Sequence, residues 1–130
     1  MSVVVGLVPT KEGRAAMVRA AEEAVRRRVP LIVVDIADVS RAGDTADLTS
    51  LGSVLQEVRA TIGTTVPLTV HAAADDADLA EELITVAEQH DADTIVIGLR
   101  QRSATGKLDL GSNAQRILLD AGCPVITVKG

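Results

Sequence analysis

The chain of 130 residues contains no Phe, Tyr or Trp. Any interior must therefore be packed from Val, Ile, Leu, Met and Ala, and no ring is present on which a nucleic-acid base could stack. Positive charge is also in deficit, because 13 Lys and Arg stand against 18 Asp and Glu, a net charge of −5. That sign opposes a phosphate backbone, so no nucleic-acid partner is expected. No apolar run approaches the roughly 18 residues that a membrane-spanning helix needs, and no membrane partner is expected either. The opening MSVVVGLVPT lacks the basic stretch that precedes the apolar part of a secretory signal. The single cysteine, Cys123, cannot form an internal disulfide and has no metal-ligand spacing around it. It reads as a small buried hydrophobe, and the expected compartment is the reducing cytoplasm.

What is present points to a folded domain. Hydrophobic residues make up 47% of the chain, which excludes disorder, and the length suits one domain over residues 1–130. Five runs rich in β-branched residues recur: Val3 to Val8, Leu31 to Ile36, Val66 to His71, Thr94 to Gly98 and Pro124 to Val128. Most are continuously apolar, the pattern of strands covered on both faces in a parallel sheet. Helical periodicity fills the gaps between them. Glu12 to Arg28, behind a Thr10 N-cap, places Ala16, Met17, Ala20, Ala21 and Ala24 on one face and Arg14, Glu22, Arg26 and Arg27 outside. Asp47 to Ile62 repeats Leu48, Leu51, Leu55, Val58 and Ile62, with Gly63 as its C-cap; Asp78 to His90 carries Leu79, Leu83, Ile84, Val86 and Ala87. Ser112 to Ala121 directs Ala114, Ile117, Leu118 and Ala121 inward.

The alternation predicts an α/β fold: a doubly wound five-stranded parallel sheet, strand order 3-2-1-4-5, with helices on both faces. Ligands of such sheets bind beyond the carboxyl ends of the strands, where the strand order reverses. The loops after the first and fourth strands are thus the candidate site. The irregular segment Asp38 to Ala46 is the longest connection.

The loop after the fourth strand reads IVIGLRQRSATGKLDLGSNAQRILL. Gly98 closes the strand, and its missing Cβ would let a ligand approach the backbone. Gly111 and Ser112 begin a helix, whose amides and dipole favour an anion. Arg100, Arg102 and Lys107 add positive charge between them. Together they describe a phosphate cradle. Structural duty explains part of it equally well: Ser112 with Gln115 has the spacing of a capping box, and Gly111 suits a turn. Both readings can hold for one helix start.

At these residues the chain resembles the universal stress protein family, and the resemblance runs from the first strand to the last. The family's nucleotide-binding motif is Gly, two residues, Gly, nine residues, Gly, then Ser or Thr; Gly98, Gly111 and Ser112 fit it, and Gln101 stands at its second glycine. Val8 stands where members usually carry an Asp that helps to hold the nucleotide. The resemblance implies an adenine nucleotide, ATP with Mg, bound by Thr10, Gly98, Arg100, Gln101, Gly111, Ser112 and Asn113, with Ile36 near the base. It implies a regulatory module in stress response, and a homodimer formed through the fifth strand. The departures at Val8 and Gln101 support a second reading, a dimeric interaction protein of the same fold that has lost nucleotide binding.

Elsewhere Asp35, Asp38, Asp75, Asp76 and Asp109 are scattered loop carboxylates that read as solvated or capping groups rather than metal ligands. His71 and His90 have no Ser, Cys or carboxylate at a catalytic spacing, and His90 suits a helix C-terminus. No nucleophile elbow, Walker loop or dinucleotide fingerprint occurs. No catalytic residues are assigned, and turnover beyond slow ATP hydrolysis or self-phosphorylation is not expected.

Overall fold

Runs of β-branched residues set the sheet, and the Ala-rich and Leu-rich helices cover it. The computed structural model describes residues 1–8, 10–35, 46–73, 78–101, 108–109 and 111–129, and gives the backbone alone for residues 46–51, 100–101 and 108–109. Along the chain run β1 (Val3–Leu7), α1 (Lys11–Arg27), β2 (Leu31–Asp35), α2 (Ala46–Ile62), β3 (Leu68–Ala72) and α3 (Leu79–Gln89). Then follow β4 (Thr94–Gln101), β5 (Leu108–Asp109), α4 (Ser112–Asp120) and β6 (Val125–Lys129).

Five strands form the parallel sheet in the order β3-β2-β1-β4-β6, which is the expected doubly wound order with β6 as the fifth parallel strand. The two-residue β5 adds an antiparallel pairing to the end of β4, Arg100 opposite Asp109 and Gln101 opposite Leu108. The sequence did not announce this pairing. It explains why β4 runs three residues past Gly98: the ladder with β5 keeps the backbone extended there. The third strand starts later than its apolar run, because Pro67 has no amide to give a ladder and instead accepts from the Leu31 amide at 2.9 Å.

Successive strand residues face opposite layers. Val3, Val5 and Leu7 of β1 pack with α1 and α2, through Met17, Ala20 and Val58, while Val4 joins Leu83, Val86 and Ile117 under α3 and α4. Of the inward faces expected of the first three helices, Leu55, Leu79 and Ile84 are partly buried and the other described side chains are buried; Leu48 and Leu51 lie outside the described side chains. Leu118 is a correction. It is 42% exposed, and Leu119 is 82% exposed, because α4 leans on α3 through Ala114 and Ile117, leaving the following turn face uncovered.

Helices α1 and α3 are each secured at their start. The Thr10 hydroxyl accepts from the Gly13 amide at 3.0 Å, and Asp78 Oδ1 accepts from the Glu81 amide at 3.1 Å. Within α1, the buried Glu23 accepts from Arg19 and Arg26 at 2.8 Å and from Arg27 at 2.9 Å. Hydrogen bonds from Arg26 and Arg27 hold its carboxyl at about 2, against an ordinary value of 4.5.

Helix α1 approaches the sheet more closely than side chains would permit. A Cβ at Gly98 would collide with the backbone carbonyl of Glu12 and lie 2.9 Å from the Glu12 Cβ. Gly52 is the opposite case, a glycine inside α2 with nothing within 4 Å of an added Cβ. Gly98→Ala should therefore destabilise the protein by about 2 kcal/mol or more, since a whole helix must shift. Gly52→Ala should stabilise it by roughly 0.5–1 kcal/mol. Urea unfolding of both variants checks the pair; equal effects would show that the α1 contact does not govern the fold.

Candidate functional site

The carboxyl ends of β1 and β4 lie side by side, and from there the chain leaves in opposite directions across the sheet. A cleft of about 350 Å³ opens at this point. Its rim on one side is the start of α1, with Val8, Thr10, Glu12 and Gly13; on the other it is the start of α4, with Gly111 and Asn113. Gly6, Ile97 and Gly98 form the sheet floor, and Leu79 and Leu83 of α3 with Ala114 and Ile117 of α4 form an apolar wall. The described lining is mostly aliphatic, with Glu12 its one carboxylate and no cationic side chain among the described residues.

Four of the expected site residues therefore meet in one cleft: Thr10, Gly98, Gly111 and Asn113. Ser112 is exposed and does not line it. Arg100 and Gln101 are described by their backbone alone, at the β4–β5 pairing, and Ile36, Arg102 and Lys107 lie outside the described residues. Sequence reasoning missed the wall. Leu79, Leu83 and Ile117 were assigned to the core, and only their position in the first turns of two helices that begin at the same sheet end could have marked them.

The glycines of the cleft differ in why they are glycine. Gly98 serves the packing of α1 as well as lining the cleft. Gly13 is equally constrained: a Cβ there would strike the Val8 carbonyl and lie 3.0 Å from Thr10 Oγ1. Gly111 is not. Its φ of −62° is open to any residue, and an added Cβ meets nothing within 4 Å. Nothing among the described residues requires a glycine at 111.

Gly111 is also the N-cap of α4, and it brings no side-chain cap. Its carbonyl accepts from the Gln115 amide at 3.0 Å, so Ser112 is already the first helical residue. The expected capping box is thus out of register by one position. A helix that begins with an uncapped glycine keeps its first amides available to an anion.

The sequence model of the Universal stress protein family matches residues 1–129. This chain belongs to the universal stress protein family. Like it, a Universal stress protein of Mycolicibacterium smegmatis is 36% identical over 138 residues, covering 98% of this chain and 96% of the relative. A universal stress protein structure from Archaeoglobus fulgidus superposes with a TM-score of 0.73 at 32% identity, covering 99% of this chain and 98% of the other. A structure of a universal stress protein from Archaeoglobus fulgidus in complex with dAMP gives a TM-score of 0.67 at 26% identity, with coverage of 99% and 98%.

Outside the cleft, one expectation about universal stress protein residues changes. His71 does have a carboxylate partner: its Nε2 lies 3.0 Å from Glu82 Oε1, a pairing of β3 with α3 that their separation in sequence conceals. Of the Asp residues weighed as metal ligands, only Asp35 has a described side chain. Asp35 closes β2 at 8% exposure, Asp38, Asp75 and Asp76 lie outside the described residues, and Asp109 is described by its backbone alone. Among the described residues no group of three His, Cys, Asp or Glu is placed to hold a metal ion. His90 does cap the carboxyl end of α3, as expected.

Because Ser112 makes no cap, Ser112→Ala should change stability by less than about 0.5 kcal/mol, the range of an ordinary surface substitution. Thermal unfolding of the variant measures this. A loss near 1 kcal/mol, the usual cost of deleting a cap, would restore the capping box.

Proposed function

We propose that this universal stress protein is a nucleotide-binding regulatory module of the stress response that takes an adenine nucleotide, ATP among them, in the cleft between β1 and β4. The observation that carries this reading is Gly111, a glycine that neither its backbone conformation nor packing against the described residues demands, at the start of a helix that faces the cleft and has no side-chain cap from its N-cap residue. Phosphate would take the amides of that first turn, with Ser112 and Asn113 beside it and Thr10 opposite. The aliphatic wall supplies a surface for the uncharged part of the ligand. The dAMP complex of the Archaeoglobus fulgidus relative supports the same ligand class. Arg100, Gln101 and Ile36 complete the proposed contacts, and a Mg ion would be held chiefly by the phosphates themselves. Binding rather than turnover is the proposed output.

The output surface is the free edge of β6. Among the described strands it pairs only with β4, and its Thr127 is exposed. An unpaired edge invites a second chain, and two copies running antiparallel about a two-fold axis would satisfy it. The protein is accordingly proposed to be a homodimer. Val8, an aliphatic side chain at the cleft rim, favours the second reading, in which the dimer persists without a nucleotide.

A chain without Trp or Tyr is nearly transparent at 280 nm, so absorbance at 260 nm reports retained nucleotide directly. Titration calorimetry with AMP and ATP, with and without Mg, then gives affinity. Binding by the wild type and its loss in Gly111→Val, at a stability cost of at most about 1 kcal/mol, are the expected results. Val8→Asp should strengthen binding several-fold, by up to about 1.4 kcal/mol. A folded wild type that binds neither nucleotide would establish the second reading.

Light scattering at micromolar concentration should give twice the 13.5 kDa chain mass. Replacement of Val125 and Thr127 by Asp should halve it. A monomeric wild type would end the dimer proposal.

A further inference from the structure

The wall of the cleft is made by two helices, α3 and α4, that β4 and β5 separate in the chain, and one side chain ties the start of α3 to α4. Arg116 of α4 directs Nη1 to Asp78 Oδ2 at 3.5 Å and Nη2 to Glu81 Oε2 at 3.9 Å, while its Nε lies 3.8 Å from Asp120 Oδ2 on its own helix. Asp78 carries two duties at once. Its Oδ1 caps α3 through the Glu81 amide, and its Oδ2 faces the guanidinium. The residue that follows it, Leu79, lines the cleft, and so do Asn113, Ala114 and Ile117 on either side of Arg116.

We propose that Arg116 is a positioning residue of the cleft: by pairing with Asp78 and Glu81 it fixes the first turn of α3 against α4 and so sets the spacing of the wall on which the ligand packs. This rests on the nucleotide-binding reading of the same cleft. Each ion pair is half-exposed and weak by itself. Three carboxylates around one guanidinium form a network, however, and its effect falls on the orientation of two helix starts rather than on global stability. The contact below it is apolar, with Ala80 and Leu83 of α3 in one cluster with Ala114 and Ile117 of α4, and apolar contacts are non-directional.

The alternative is that Arg116 merely adds positive potential near an anion. The two accounts predict opposite signs for one substitution. Asp78→Asn removes a negative charge while keeping an equally good N-cap. If charge alone matters, AMP binds more tightly to that variant. If Arg116 positions the wall, AMP binds more weakly, as it does to Arg116→Gln.

The experiment measures AMP affinity by calorimetry for the wild type, Arg116→Gln, Asp78→Asn, the double variant and Arg116→Lys, with amide hydrogen exchange of Leu79 to Leu83 in the same proteins without ligand. The expected result is a loss of about three-fold in each single variant, no further loss in the double, partial recovery with Lys, and faster exchange in α3's first turn wherever affinity falls. Tighter binding by Asp78→Asn, or unchanged affinity in Arg116→Gln, would overturn the proposal. Should the wild type bind no AMP, the nucleotide reading fails and exchange alone decides. Faster exchange in both single variants then upholds the tie between the helices, and unchanged exchange removes it.

Discussion

The backbone of α1's first turn rests directly on β4 at Gly98, and most of the site follows from that contact. It is made without side chains, so its distance is set by main-chain atoms that cannot repack. Because α1 is held there, Thr10, Glu12 and Gly13 reach the cleft rim while the Ala16, Ala20 and Ala24 stripe covers β1. A second close approach, Gly13 over the Val8 carbonyl, fixes how the chain turns from β1 into the helix. The two glycines thus do for this sheet what small residues do at any tight helix–strand junction: they convert a loop into a rim of defined height.

The fold was legible because its signals are redundant. Five apolar runs, four helical stripes and their alternation all point to one doubly wound sheet, and a miss in any one of them changes little. What was hidden lies in pairings that sequence spacing does not encode. The β5 strand is two residues long and carries no alternation to detect. His71 meets Glu82 only because β3 and α3 fold together, and Leu118 surfaces because α4 has a neighbour on one side only. Helix starts were readable to within a residue, and that residue mattered at α4, where moving the N-cap from Ser112 to Gly111 changes a capped terminus into an open one.

The candidate site was half legible for a related reason. A motif records residue types and gaps, and glycine enters such a motif for more than one cause. Gly98 and Gly111 occupy equivalent-looking places in the sequence, yet one is demanded by a helix and the other by nothing among the described residues. Only coordinates separate the two. The wall residues escaped because Leu and Ile in amphipathic helices are accounted for by the core, and their second role depends on where two helices happen to begin.

The aliphatic interior has a further consequence. Its largest fully buried side chains are Leu, Ile and Met, and Val outnumbers each of them. No single residue anchors the packing as a buried ring would, and each Val truncated to Ala removes only about two methylene equivalents, on the order of 1–2 kcal/mol. Tolerance to substitution is therefore spread evenly through the two layers. Intolerance is concentrated instead at Gly13 and Gly98, so that in this protein two of the smallest residues, rather than the largest, are the ones whose replacement the architecture can least absorb.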